Sequence, residues 1–225
     1  MMQRDYILRL IEQLGQVWAS LYTLVTKGQL AEGLLLIDQA LQRLLGFSLA
    51  EAEALSADDL IALIRLGSSR LEESIIADQL TVLASLLREA AEIYAIQGDT
   101  DRADNQRLKT LHLFLSVLTG KGGGLSSSHV GEAVDPLLQQ LSEYDLPARV
   151  KDLLWQHFER VGQFAKSEDW LFELLESDQA EPDTLAQGIA FFERLLERSD
   201  EELIQGDLLR EEVLAGLAQL QAMEE

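Results

Sequence analysis

Apolar residues recur along most of the chain at the three-and-four spacing of amphipathic α-helices. The first such stripe runs from Arg4 to Thr26 and comprises Ile7, Leu10, Ile11, Leu14, Val17, Trp18, Leu21, Leu24 and Val25. The same periodicity predicts helices over Leu30–Leu45, Leu49–Ala54, Ala57–Leu66, Leu71–Gln97, Ala103–Leu118, Glu132–Tyr144, Pro147–Val161, Phe164–Glu176, Pro182–Arg198 and Glu201–Met223. No alternation of polar and apolar residues predicts a strand. The pattern therefore predicts an all-α fold of about nine or ten helices.

Three glycines interrupt these stripes in the same sequence context. Each has a large residue four positions earlier and a small residue five positions later: Leu24, Gly28 and Gly33; Tyr94, Gly98 and Ala103; Phe158, Gly162 and Ser167. Glycine permits a tight chain reversal, and a small residue lets two antiparallel helices approach closely where they cross. The sequence therefore predicts three helical hairpins with small residues at the crossing points.

This repeated hairpin resembles the tetratricopeptide repeat, a helix–turn–helix unit of 34 residues. The turn glycines are 70 and 64 residues apart, close to two repeat lengths each. The likeness covers about 105 residues, and it departs from the usual pattern at Leu21, Arg107 and Trp155. It implies a right-handed α-solenoid of antiparallel helix pairs, whose first helices line a concave groove. The opening residues and overall layout also resemble an uncharacterised bacterial family with tetratricopeptide-like structure, a likeness that implies no activity.

One low-complexity segment divides the chain. Residues 120–128 contain four glycines and three serines, a composition that cannot hold a helix. We therefore expect residues 120–131 to form a flexible loop between an N-terminal helical-repeat half, residues 1–119, and a C-terminal half, residues 132–225.

The formal net charge of −21 disfavours several classes of partner. From Glu168 onward there are 17 acidic and 3 basic residues, so the C-terminal half is strongly acidic. Such a surface repels phosphate backbones and anionic lipid, so neither nucleic acid nor a membrane is an expected partner. Whether the acidic face is only solvated or docks a basic partner stays open. The charged N-terminus is not a signal peptide, there is no cysteine, and the expected location is cytoplasmic.

No constellation of residues predicts catalysis, a metal or a cofactor. His112, His129 and His157 lack the spacing of a helical metal pair, and His112 lies in an apolar run typical of a packed residue. The glycine-rich segment lacks the spacing of a phosphate-binding loop. The segment from Gly98 to Thr110 lacks the glycine and glutamate of a calcium loop, so Asp99 or Asp101 is better explained as a helix cap.

The resemblance to the repeat family implies a set of groove residues on the first helix of each hairpin. These are Trp18, Tyr22, Arg88, Glu92, Arg149, Gln156 and Arg160. Arginine binds carboxylates bidentately, so a groove that gathers the three arginines would capture an acidic peptide or its C-terminus. The alternatives are surface arginines paired with acidic neighbours and aromatic residues packed in the core.

The leading hypothesis is a non-enzymatic protein-interaction module that binds a peptide or protein in a concave groove. A second is a small-ligand receptor or enzyme with a pocket between helices. A third is a self-assembling protein, a homodimer formed through Ile7, Leu14 and Leu21 of the first helix. The predicted hairpin register implies that Ala103→Leu is destabilising, whereas the same change at Gln106, expected to be exposed, is nearly neutral.

Overall fold

In a computed structural model, the described residues 2–68, 72–120, 127–177 and 179–224 form thirteen α-helices and no strand. The helices are α1 Met2–Thr26, α2 Leu30–Leu45, α3 Leu49–Ala54, α4 Ala57–Gly67, α5 Glu73–Gln97, α6 Thr100–Thr119, α7 Ser127–Glu132, α8 Val134–Gln140, α9 Ala148–Val161, α10 Phe164–Leu175, α11 Thr184–Leu196, α12 Asp200–Gln205 and α13 Arg210–Glu224. The all-α class is confirmed. None of the described helices combines the length and apolar character that crossing a membrane requires.

The structure contains more helices than the nine or ten predicted, and two of the predicted helices are wrong in extent. Of the helix predicted over residues 132–144, Glu132 is the last residue of α7 and only Val134–Gln140 forms a separate helix, α8. The last predicted helix breaks between Gln205 and Arg210, where the Ala165 amide donates to the Gly206 carbonyl at 3.0 Å. A Cβ at Gly206 would lie 2.3 Å from Phe164 Cδ2, so this loop backbone packs directly on the α9–α10 hairpin.

The three glycine turns are confirmed and share one geometry. Gly28, Gly98 and Gly162 have φ angles of 72°, 79° and 78°, a left-handed conformation that glycine adopts without strain. In each turn the amide after the glycine donates to the carbonyl four residues before the glycine, at 2.9 Å: Gln29 to Leu24, Asp99 to Tyr94, and Gln163 to Phe158. This bond is the closure of a Schellman motif, which ends one helix and redirects the chain into the next.

The small residues at the predicted crossing points are buried. Ala103 and Ser167 have no accessible surface, and Ser167 Oγ donates to the Trp155 carbonyl at 2.7 Å across the α9–α10 crossing. A Cβ at Gly33 would lie 3.0 Å from Ile93 Cδ1 and 3.4 Å from Leu21 Cδ1. Only a small side chain therefore allows these helices to approach as closely as they do.

The chain forms two compact units, residues 1–144 and residues 145–225. In the first unit α5 is the central helix and packs against α1, α2, α4 and α6. The short helices α7 and α8 pack on α6, so the first unit continues past the glycine- and serine-rich segment. The two compact units meet at Tyr144 and Asp145; of the predicted loop, residues 127–131 lie in α7 and residues 121–126 lie outside the described part of the chain.

Polar groups attach α3 to the α5–α6 hairpin inside the first unit. The buried Lys109 ammonium donates to the carbonyls of Ala52 at 3.0 Å and Glu53 at 2.6 Å. Tyr94 Oη donates to Glu53 Oε1 at 2.5 Å. Burial, followed by Glu53, raises the pKa of Tyr94 to about 12, so its hydroxyl stays protonated and remains a donor.

The second unit contains α9 to α13. Its core consists mainly of aromatic and leucine side chains: Trp155, Phe164, Leu171, Leu174, Phe191, Phe192, Leu195, Leu203, Leu208, Val213 and Leu220. Trp155 contacts Phe191 edge-on, with 5.9 Å between ring centroids, and Glu159 binds Arg194 at 2.8 Å. The later residue of α9, Glu159, contacts the later residue of α11, Arg194. The two helices therefore run in the same direction.

Polar side chains cap the starts of several helices, and for α6 the cap is Asp99, as the sequence predicted. Ser48 and Ser56 each begin a helix with a complete capping box, and Asp99 caps α6 by accepting from the Arg102 amide. The prediction that Gln106 is exposed is wrong: it is 2% exposed, because α6 is covered on more than one side. It cannot serve as an exposed control.

One of the three residues in the homodimer hypothesis, Leu21, is buried and cannot form an intermolecular contact. Leu21 is 2% exposed and packs over Gly33, so it belongs to the core of the first unit. Leu14 is partly buried, and the side chain of Ile7 lies outside the described residues.

Candidate functional site

The first candidate site is a cavity of about 320 Å³ between α1 and α5, here named the α1–α5 groove. Its lining residues are Trp18, Leu21, Tyr22, Val25, Arg88, Glu89, Glu92, Ile93 and Ile96. The structure thus brings four of the predicted groove residues together: Trp18, Tyr22, Arg88 and Glu92. Helical spacing explains this, because residues three or four apart share one face of their helix.

The groove has an apolar floor and exposed apolar walls. Leu21 and Ile93 form the floor and are almost completely buried, whereas Tyr22 is 75% exposed and Ile96 58% exposed. Trp18 is partly buried. The alternative in which both aromatic residues are core residues therefore does not describe Tyr22.

The charged side chains of the α1–α5 groove are engaged within the first unit. Arg88 Nη2 lies 3.5 Å from Glu89 Oε1. Glu92 Oε1 accepts from Arg107 Nη2 at 3.4 Å and from Gln140 Nε2 at 3.3 Å. The rim of the groove therefore carries compensated charges, and its recognition chemistry is dominated by the apolar surface.

The second candidate site is a pair of cavities along α9 and α11, of about 530 Å³ and 250 Å³, here named the α9–α11 trough. Gln156 and Gln187 line both cavities. The larger cavity is also lined by Ala148, Arg149, Asp152, Leu174, Gln179, Glu181, Asp183 and Thr184. The smaller cavity is also lined by Trp155, Glu159, Arg160, Ala190 and Arg194. The trough thus contains the remaining predicted groove residues, Arg149, Gln156 and Arg160.

The predicted cluster of three arginines is not assembled in any one of these cavities. Arg149 and Arg160 line different cavities of the second unit, and Arg88 belongs to the first unit. Arg149 Nη1 lies 2.8 Å from Asp152 Oδ2, and Arg88 is paired with Glu89. The alternative of arginines paired with acidic neighbours describes Arg88 and Arg149.

Sequence reasoning missed the α11 wall of the trough. Arg149 and Asp183 are 34 residues apart, as are Arg160 and Arg194. This is one tetratricopeptide repeat length, and it was a usable signal. The glycine-turn pattern does not reveal it, because no glycine turn marks the end of α11, whose hairpin partner α13 follows only after the short helix α12.

One carboxyl outside both sites has a strongly shifted pKa. Burial, with smaller contributions from Asp169 and Glu212, raises the pKa of Glu168 to about 7. Its Oε1 would lie 2.9 Å from a Cβ at Gly216, so the carboxyl is close to the backbone of α13. Among the described residues there is no group of three or more histidine or carboxylate side chains arranged to hold a metal ion.

Comparison with curated proteins and with solved structures gives no match to this chain. A family model does match, over residues 1–225. The chain therefore belongs to the family described as a family of unknown function, DUF6483.

Proposed function

We propose that this protein is a non-enzymatic interaction module, a tetratricopeptide-like helical scaffold that binds a segment of a partner protein in the α1–α5 groove. The observation that carries the proposal is the exposure of Tyr22 and Ile96 beside Trp18 and Arg88 in one cavity. Tryptophan, tyrosine and arginine are the residues most enriched at the energetic centres of protein interfaces.

The repeat-like geometry supports a scaffold of this class. Three hairpins close with the same Schellman bond, and α9 and α11 run in the same direction with facing residues one repeat length apart. In a right-handed solenoid, the first helices of successive hairpins run in the same direction, one repeat length apart.

The preferred partner segment presents an apolar anchor rather than acidic groups alone. Leu21 and Ile93 offer an apolar floor, whereas Arg88 is already paired with Glu89. An acidic peptide would have to displace that carboxylate, but an apolar side chain would be buried against existing apolar surface.

Affinity capture with matched variants tests this proposal. Tyr22→Glu and Ile96→Glu place a charge on the groove walls, and Leu66→Glu places one at a site on α4 that is also 75% exposed. We expect a partner that is retained by the wild type and by Leu66→Glu and lost by both groove variants. Retention by all three variants, with circular dichroism showing that each is folded, would refute binding in this groove.

The volume of the larger cavity favours a second candidate function, the binding of a small molecule. About 530 Å³ lies in the range of small-ligand pockets. Thermal-shift screening with metal ions, nucleotides and acyl compounds separates the two functions. A rise of several degrees in Tm with one class of compound would favour the small ligand, provided that Tyr22→Glu does not alter which proteins are captured.

A further inference from the structure

The larger cavity of the α9–α11 trough contains a buried hydroxyl, that of Thr184, which no part of the described chain satisfies. Thr184 lines the cavity and is 4% exposed. None of the described residues forms a hydrogen bond with its hydroxyl, whereas Thr81 and Thr119 donate theirs to the carbonyl four residues earlier. Burying a hydroxyl without a partner costs free energy, and such groups are almost always paired in folded proteins. The Thr184 hydroxyl therefore points to an occupant of the cavity.

Two carboxylates lie on the same turn of the chain as this hydroxyl. The Thr184 amide donates to the Glu181 carbonyl at 2.9 Å, which closes a turn over residues 181–184. Glu181 and Asp183 are exposed, line the cavity, and form no hydrogen bond or ion pair with the described side chains. Asp183 holds the N-cap position of α11, but its side chain does not cap the helix. Both carboxylates can therefore accept hydrogen bonds from a ligand.

The remaining charges of the cavity already satisfy each other. Arg149 Nη1 donates to Asp152 Oδ2 at 2.8 Å. The other oxygen of Asp152 accepts from Gln156 Nε2 at 2.9 Å and from Trp155 Nε1 at 3.1 Å. This pair cancels, so the two free carboxylates leave the cavity with a formal charge of −2. Such a cavity attracts a cation and repels an anion.

An organic cation fits these groups better than a metal ion does. Divalent metal ions such as calcium take six or more oxygen ligands, and the described residues place no three carboxylate or histidine side chains together to hold one. An ammonium group carries three donors and no acceptor, which matches two carboxylates and one hydroxyl. The cavity also has apolar lining, Ala148 and Leu174, against which an alkyl chain can pack.

We propose that the larger cavity binds a primary aliphatic amine. The ammonium group donates to Glu181, Asp183 and the Thr184 hydroxyl, and the alkyl chain packs against Leu174. A free amine and a lysine side chain of a partner protein both carry this chemistry. The inference rests on the second candidate function, ligand binding in this cavity, and it uses no residue of the α1–α5 groove.

Titration of isotope-labelled protein, followed by NMR, tests the site directly. The probes are pentylamine, the neutral pentanol and the anionic pentanoate, which share one alkyl chain. We expect saturable binding of pentylamine, with chemical-shift changes at the residues that line the cavity. The other two probes should bind at least about tenfold more weakly, as expected for the loss of a charge-assisted contact. Equal affinities for amine and alcohol, or no saturable binding of the amine, would overturn the proposal.

A second pair of probes distinguishes the two sources of the amine. These are a capped glycine–lysine–glycine peptide and its relative with norleucine in place of lysine. Tighter binding of the lysine peptide than of pentylamine, with no binding of the norleucine peptide, assigns the site to a lysine of a partner protein. The reverse order of affinities assigns it to a free amine.

Matched double variants separate the site from the general acidity of the chain. Glu181→Gln with Asp183→Asn should weaken pentylamine binding by about tenfold or more. Glu193→Gln with Glu197→Gln removes the same charge from exposed positions outside the cavity and should leave the affinity unchanged. An equal loss in the two double variants would show only a general attraction of cations and would overturn the proposal.

The conservative variant Thr184→Val tests the buried hydroxyl. Because the hydroxyl has no partner among the described residues, replacing it by a methyl group should leave Tm unchanged or raise it, and should weaken pentylamine binding. A lower Tm, or an unchanged affinity for pentylamine, would show that the hydroxyl serves the fold and would overturn its role here.

Two further results keep this inference distinct from the proposed functions. Binding of a nucleotide or an acyl compound in the same cavity, without binding of pentylamine, would overturn the inference and leave the second candidate function in place. Tyr22→Glu should leave pentylamine binding unchanged, because Tyr22 lines the α1–α5 groove and not this cavity. A loss of pentylamine binding in Tyr22→Glu would place the amine elsewhere and overturn the inference.

Discussion

Replacing Gly33 by leucine tests whether the close packing at this residue sets the floor of the α1–α5 groove. A Cβ at this position would already lie 3.0 Å from Ile93 Cδ1 and 3.4 Å from Leu21 Cδ1. Both neighbours are floor residues with no more than 2% of their surface exposed, so neither can swing into solvent. A leucine side chain therefore has no space unless α2 moves away from its neighbours.

The expected magnitude follows from two opposing effects. Overpacking a close-packed core costs about 1–3 kcal/mol. Replacing glycine by leucine inside a helix recovers roughly 0.5–1 kcal/mol of backbone propensity. We therefore expect Gly33→Leu to lower the unfolding free energy of the first unit by about 1–2 kcal/mol. In Gly33→Ala the added methyl group contacts only the ends of two side chains. The higher helix propensity of alanine offsets most of the cost of that contact, so the unfolding free energy should change by no more than about 1 kcal/mol.

Urea denaturation followed by circular dichroism measures the effect, and hydrogen exchange over residues 30–45 assigns it to α2. Ala31→Leu is the matched control because Ala31 is exposed on the same helix. It should change stability by no more than about 0.5 kcal/mol. The displaced floor should also weaken partner binding in Gly33→Leu. Equal stabilities for the two leucine variants would refute the close crossing.

Three further results are expected. Ala103→Leu should lower stability by about 1–3 kcal/mol in urea denaturation, whereas Asn105→Leu, at an exposed position of α6, should be nearly neutral; equal effects would contradict the hairpin register. Because burial raises the pKa of Glu168 to about 7 from its ordinary 4.5, the folded state keeps a proton that the unfolded state has lost. Wild type should therefore lose stability relative to Glu168→Gln as pH rises through this range, and parallel urea midpoints at all pH values would count against it. Gly216→Ala should lower Tm because its Cβ would lie 2.4 Å from Phe192 Cζ. The same change should lower Tm less when it is made in a Phe192→Leu background. An unchanged Tm in Gly216→Ala alone would show that the Phe192 ring can move aside.

The turns and crossings of the hairpins could be predicted because single residues encode them. A left-handed φ at Gly28, Gly98 and Gly162 favours glycine whatever surrounds the turn. A close helix crossing requires a small residue such as Gly33 or Ser167 at the point of contact. Both requirements are local, so they are visible in the sequence.

The exposure of individual side chains was decided only by tertiary packing. Periodicity identifies an apolar stripe, but it does not state which neighbours cover that stripe or the rest of the helix. Gln106 is polar yet buried because α6 is covered on several sides, whereas Tyr22 and Ile96 are apolar yet exposed at the α1–α5 groove. The break before α13 was hidden for the same reason, since Leu208 and Val213 continue the apolar pattern across it. Local backbone geometry follows from single residues, but burial depends on every element that packs against them.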